Sequence, residues 1–201
     1  MTSVVAIINN ALNIIGASNI IDLNENTKTA RVMNQMYENI RDDVFRAHPW
    51  NCLIRRAELA QEVTAPLFDY AHQYALPADP YCLRVLEFQN GSMTYPYENL
   101  VGQGNKPFFV IEGRKLLTDS GTARIKYVGR VTDATQYDAG LVSVLSARLA
   151  AEAAYAITGS TSVVQIADAL YERKLREARF SDATENGTMK LEASDFIEAR
   201  F

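Results

Sequence analysis

The chain has 201 residues, 48% of them hydrophobic and 22% charged, an ordinary globular balance with enough apolar material for a core. A formal net charge of −4 and a pI near 5.3 lack the basic excess of a protein that grips nucleic acid through its phosphates. Two cysteines, Cys52 and Cys82, follow no CxxC or secreted-scaffold spacing and read as buried thiols.

At the N-terminus, apolar stretches over 1–21 have no basic n-region before them and are interrupted by Asn9, Asn10 and Asn13. Neither a signal peptide nor a membrane span is expected there, and the reading is of a soluble, cytoplasmic protein. Ser3 can cap a first helix over 3–15, with Ile7, Ile8, Ala11 and Leu12 at three- and four-residue steps and Gly16 placed to end it. Asn26 or Thr27 can cap a second over 27–47, striped by Ala30, Met33, Tyr37, Ile40, Val44 and Ala47, with Arg31, Glu38, Arg41 and Asp42 off the stripe. Pro49 disfavours helical geometry at His48 and lacks the amide hydrogen a helix uses, so the chain leaves the helix at His48-Pro49-Trp50.

From 52 to 130 the pattern changes to short runs between turn residues: Asn90-Gly91, Glu112-Gly113 and Asp119-Ser120-Gly121. The clearest strand is 123–128, where Ile125 and Tyr127 alternate with Arg124 and Lys126. Further strands at 53–60, 83–88, 97–101, 108–112 and 115–118 complete one expected antiparallel sheet. Helical periodicity returns after Asp138, a cap for a third helix over 138–158 that Gly159 breaks. A fourth helix over 162–180 follows Ser160-Thr161-Ser162, with Arg173, Lys174, Arg176 and Arg179 at its basic end. Residues 187–201 mix aromatics with charges and read as an extended C-terminal tail. The order of helices, strands and helices predicts an α+β fold: a bundle of about four helices with an inserted antiparallel sheet, in a single domain over 1–186.

No pattern of catalytic residues stands out. His48 ends a helix, where a cation meets the dipole, and His72 lies beside Asp69 in an irregular segment. A zinc site from His48, Cys52, His72 and Cys82 has the ligand types without a compact spacing. Gly102-Gln103-Gly104 has no third glycine and no Lys-Ser/Thr pair behind it, so it reads as a loop and not a phosphate cradle. Glu58 and Glu62, or Asp42 and Asp43, read as solvated carboxylates before a glycosidase pair. Arg55 and Arg56 near Trp50 read as strand neighbours on opposite faces before a single-strand-binding patch. No cofactor and no metal is expected.

One set of segments nonetheless forms a pattern: Ala11-Leu12-Asn13-Ile14-Ile15-Gly16, Ala30-Arg31, Phe45-Arg46-Ala47-His48-Pro49-Trp50-Asn51, Arg56-Ala57-Glu58-Leu59-Ala60, Tyr74-Ala75-Leu76-Pro77-Ala78-Asp79, the strand from Ile125, the Ala-rich third helix and the closing Phe196 to Phe201. With these the chain resembles the head-to-tail adaptor (tail tubular protein A) family of short-tailed bacteriophages. The resemblance implies a non-enzymatic virion protein, made in the host cytoplasm. It would form a ring with itself, commonly a dodecamer, beneath the portal protein and above the tail nozzle protein, with genomic DNA passing through. It implies no membrane.

A ring closed by rotation needs two different faces on each subunit. The third and fourth helices are the candidates, with Leu141, Arg148, Glu152, Arg173 and Arg176 as self-contacts. By the same resemblance Phe196, Ile197, Arg200 and Phe201 are expected to meet the portal. Two rivals are a tail-associated peptidoglycan hydrolase using Glu58 or Glu62 as acid, and a nucleic-acid-binding regulator using Arg55, Arg56 and the basic end of the fourth helix.

Overall fold

A computed structural model describes residues 2–90, 93–96 and 107–185. The expected strand at 97–101, the Gly102-Gln103-Gly104 loop and the tail with Phe196, Ile197, Arg200 and Phe201 lie outside the described residues.

Each of the first three helices starts on the cap its sequence supplies. The Ser3 hydroxyl accepts the Ala6 amide at 3.1 Å to open α1 (Val4–Ile14). The Thr27 hydroxyl accepts that of Ala30 at 3.1 Å for α2 (Lys28–Ala47), and the Asp138 carboxylate accepts that of Gly140 at 2.8 Å for α3 (Ala139–Thr158). Each satisfies an amide that the first helical turn leaves without a partner. Gly16 and Gly159, at φ +70° and +69°, end α1 and α3 in the left-handed conformation that glycine adopts without strain. The last helix, α4 (Thr161–Glu185), runs five residues beyond its expected end. The buried stripe of α2 includes Arg41, expected off it, while Ala47 is exposed. Arg41 tolerates burial because its guanidinium pairs with Asp42 at 2.9 Å and lies 5.9 Å from the Tyr37 ring centre.

Helix α3 is the axis of the helical body, packed against α1, α2 and α4. Ala147, Ala150, Ala151, Ala153 and Ala154 are buried on it, and such small side chains let neighbouring helices approach closely. It is long and apolar enough to cross a bilayer, but 56% of its most apolar window is buried inside the protein. Trp50, fully buried, donates its indole N–H to the Val44 carbonyl at 3.0 Å and locks the corner where the chain leaves α2.

The strands form two antiparallel sheets where one was expected. The first has the order β1-β7-β3-β4, from β1 (Ile54–Glu58), β3 (Cys82–Asn90), β4 (Met93–Pro96) and β7 (Arg124–Gly129). The second has the order β2-β6-β5, from β2 (His72–Ala75), β5 (Phe109–Glu112) and β6 (Lys115–Thr118). β2 falls in the stretch read as irregular: it is four residues long with two adjacent buried positions, Gln73 and Tyr74, so it has no clean alternation. Tyr74, Phe109 and Leu116 from the second sheet meet Val85, Phe88, Ile125 and Tyr127 from the first in an apolar cluster of their own, with the Phe88 and Phe109 rings 5.1 Å apart. The other, larger cluster belongs to the helices and takes Leu53, Leu83 and Val128 from the first sheet and its approaches. Tyr81 joins the two parts, the centre of its ring lying 3.7 Å from the guanidinium carbon of Arg114 and 4.3 Å from that of Arg130. Arg130 in turn pairs with Asp42 of α2.

Candidate interaction surfaces

The five residues expected to contact neighbouring subunits do not form one surface. Leu141 is fully buried, a correction to its expected role: it lies on the face that α3 turns to the core. Arg148 bonds Glu152 at 2.6 Å, lies 3.9 Å from Asp43 of α2 and sits 5.1 Å from the Tyr171 ring of α4. Its charge brackets three helices of the same chain. Arg173 and Arg176 are exposed on α4, Arg173 reaching Glu177 at 3.9 Å. Arg179, expected at α4's own basic end, instead donates to the Ala47 carbonyl at the end of α2 at 2.8 Å, satisfying a terminal acceptor left without a helical partner.

The titratable residues singled out in the sequence are scattered. The His48 ring contacts the Asp182 carboxylate at 2.9 Å and the Trp50 ring edge-on at 4.8 Å, a pairing across 134 positions that no local pattern announces. His72 opens β2 and contacts Gln61 at 2.9 Å. Cys82 is buried and Cys52 half-buried, so the reading of two buried thiols holds for Cys82 alone. Burial pushes the Cys82 thiol up to about 11, against the opposing pull of Arg114 and Arg46, and burial also raises Cys52. A thiol so raised stays protonated near neutral pH and is a poor nucleophile or metal ligand. Among the described residues no three His, Cys, Asp or Glu side chains gather around a metal-sized space.

Glu58 lies on β1 with Arg124 at 3.1 Å. Glu62 lies beside the second sheet, with Lys115 at 2.7 Å and Gln73 at 2.9 Å. The two carboxylates sit against different sheets and do not line one cleft. Arg55 is occupied by the Cys52 and Ile54 carbonyls, both at 2.9 Å, while Arg56 is exposed. Arg56 borders a groove of about 310 Å³ with Glu58, Glu87, Gln89, Arg124 and Lys126. In that groove Lys126 is paired to Glu87 at 2.8 Å and Arg124 to Glu58, so charges of both signs alternate where a phosphate-binding surface would be uniformly basic.

The surface feature that sequence reading missed is apolar. In the loop between β1 and β2, Val63 is fully exposed, Leu67 97% and Phe68 74%. The feet of this loop are fastened. The Glu62 amide donates to Gln73 O at 2.9 Å, the Ala71 amide to Asp119 at 3.0 Å, and the Tyr70 hydroxyl to Pro107 O at 3.0 Å. The only sequence signal was three apolar residues around Pro66 without strand or helix periodicity. On the helical pair Tyr155, Ile166 and Phe180 are exposed as well, Ile166 and Phe180 standing about four turns apart along α4. A hollow of about 350 Å³ runs between α1, α3 and α4, bordered by Asn10, Ile14, Val142, Ser146, Leu170 and Lys174. Compared with protein-family models and with curated proteins, the sequence matches none.

Proposed function

We propose that this chain is a non-enzymatic structural subunit of the head-to-tail adaptor kind. It forms a ring with copies of itself between a portal protein and a tail nozzle protein in a short-tailed phage virion, and DNA passes through the ring. The observation that supports the reading is that large apolar residues are exposed in two separate parts of the chain: the fastened loop with Val63, Leu67 and Phe68, and the α3–α4 pair with Tyr155, Ile166 and Phe180. Exposed apolar clusters mark interaction sites, and a closed ring needs two unlike faces on each subunit. A single self-complementary patch would support a two-fold dimer instead. Within this reading Arg173 and Arg176 flank the helical face, and Phe196, Ile197, Arg200 and Phe201 supply the portal contact.

A charge placed in either face tests the assignment. Leu67→Asp and Ile166→Asp are each expected to leave the circular dichroism spectrum and the melting temperature of the isolated chain unchanged and to abolish assembly on the portal, followed by native mass spectrometry. Equal amounts of the two variants mixed are expected to yield at most pairs, because one intact face of each kind then remains. Full rings from either variant alone would remove that face from the interface.

A further inference from the structure

The buried stripe of α4 is Ala167, Tyr171, Leu175, Ala178 and Asp182. Its spacing is that of an ordinary core-facing helix, yet the last position holds a carboxylate that is only 6% exposed. Both of its oxygens are taken: Oδ1 accepts the Asn51 amide at 3.0 Å and Oδ2 meets His48 Nε2 at 2.9 Å. The Asn51 side-chain amide donates to the Asp182 carbonyl at 2.8 Å. Three residues earlier, Arg179 donates to the Ala47 carbonyl.

Beyond Leu175, Ala178 is the one buried apolar residue of the helix, and Phe180 is 75% exposed. Apart from Ala178, which lies against Gly140 of α3, the last turns of α4 are held to the body by polar contacts to residues 47–51. The receiving side is rigid, because Trp50 is fully buried and bonded to Val44. Pro49 turns the chain, Trp50 anchors the corner, and His48 and Asn51 present the polar groups.

We propose that Asp182, His48 and Asn51 form a polar latch that closes residues 176–185 of α4 onto the corner after α2, and that the latch opens without unfolding the rest of the bundle. Hydrogen bonds to protein exchange for hydrogen bonds to water at small net cost, whereas opening a helix end held by apolar area exposes that area. The latch gives the His-Pro-Trp-Asn segment a role that does not depend on ring formation.

Amide hydrogen exchange on the full chain tests the proposal. In the unaltered protein, residues 176–185 are expected to exchange about tenfold or more faster than 167–175 of the same helix. In Asp182→Ala and in His48→Ala, exchange over 176–185 is expected to rise by about tenfold again, the scale of one lost charge-assisted hydrogen bond, with α3 unchanged. Equal protection along all of α4 in the unaltered chain, no change over 176–185 in both variants, or a uniform rise across the four helices in His48→Ala would overturn it. If Asp182→Ala does not fold, the unaltered chain and His48→Ala decide between these outcomes.

Discussion

Cys82 shows how burial sets chemistry at a single residue. Its ordinary value is 9.0, and the folded protein raises it to about 11 because the surrounding apolar cluster penalises the thiolate. Between those values the folded state keeps a proton that the unfolded chain has lost, so the contribution to stability is whole below pH 9 and is lost as pH rises through 11. With partial solvent screening, that contribution is at most about 2 kcal/mol. Burial raises Tyr37, Tyr137 and Tyr171 in the same direction, so the protein is expected to lose stability on the alkaline side. Urea midpoints at about pH 8 and about pH 10.5 check this: Cys82→Ala is expected to fall less than the unaltered chain, and parallel falls would contradict the assignment. Slow alkylation of Cys82 near pH 8 is expected for the same reason.

Between elements, the most extensive contact is that of α3 with α4. A Cβ added at Gly140 would stand 3.3 Å from the Ala178 Cβ, so small residues on both helices set the separation. Ala178→Leu is expected to cost about 1 to 3 kcal/mol by overpacking, seen as a lower urea midpoint; no loss would mean that the helices part there without cost. Local signals made most elements legible in advance. Ser3, Thr27, Asp138, Gly16 and Gly159 mark helix ends in the sequence because their side chains or their freedom at positive φ act within a few residues. The Glu112-Gly113 turn is legible for the same reason: Gly113 has φ +50° and Arg114 φ +71°, and the Arg114 side chain is held by the Cys82 and Pro77 carbonyls. β2 and the division into two sheets were not legible, since pairing of His72 with Thr118 or of Phe109 with Thr118 depends on partners outside any local pattern. Asp182 was missed for a related reason. Its burial depends on the corner at Trp50, and a lone acid near a helix end reads locally as solvated.

Across the whole molecule, the helical body and the paired sheets have separate apolar clusters joined through Tyr81, Arg114 and Arg130. The groove on the first sheet alternates charges, and the large apolar groups stand apart on a loop and on a helical face. Such a division suits a subunit that is folded by itself and completed by neighbours. Neither set of exposed apolar residues was legible in the sequence: the self-contacts expected on the helical pair were Leu141, Arg148, Glu152, Arg173 and Arg176, and not Tyr155, Ile166 and Phe180, while an apolar loop tip has no periodicity to betray it and its exposure is a tertiary fact.

Electron microscopy of the purified chain mixed with a candidate portal protein tests the central claim most directly. Closed rings of this chain are predicted, stacked on one end of the portal, with the β1–β2 loop of one subunit and the α3–α4 face of the next at each subunit boundary. Bare portals beside free single subunits, or peptidoglycan clearing by the purified chain that disappears in Glu58→Gln, would contradict it.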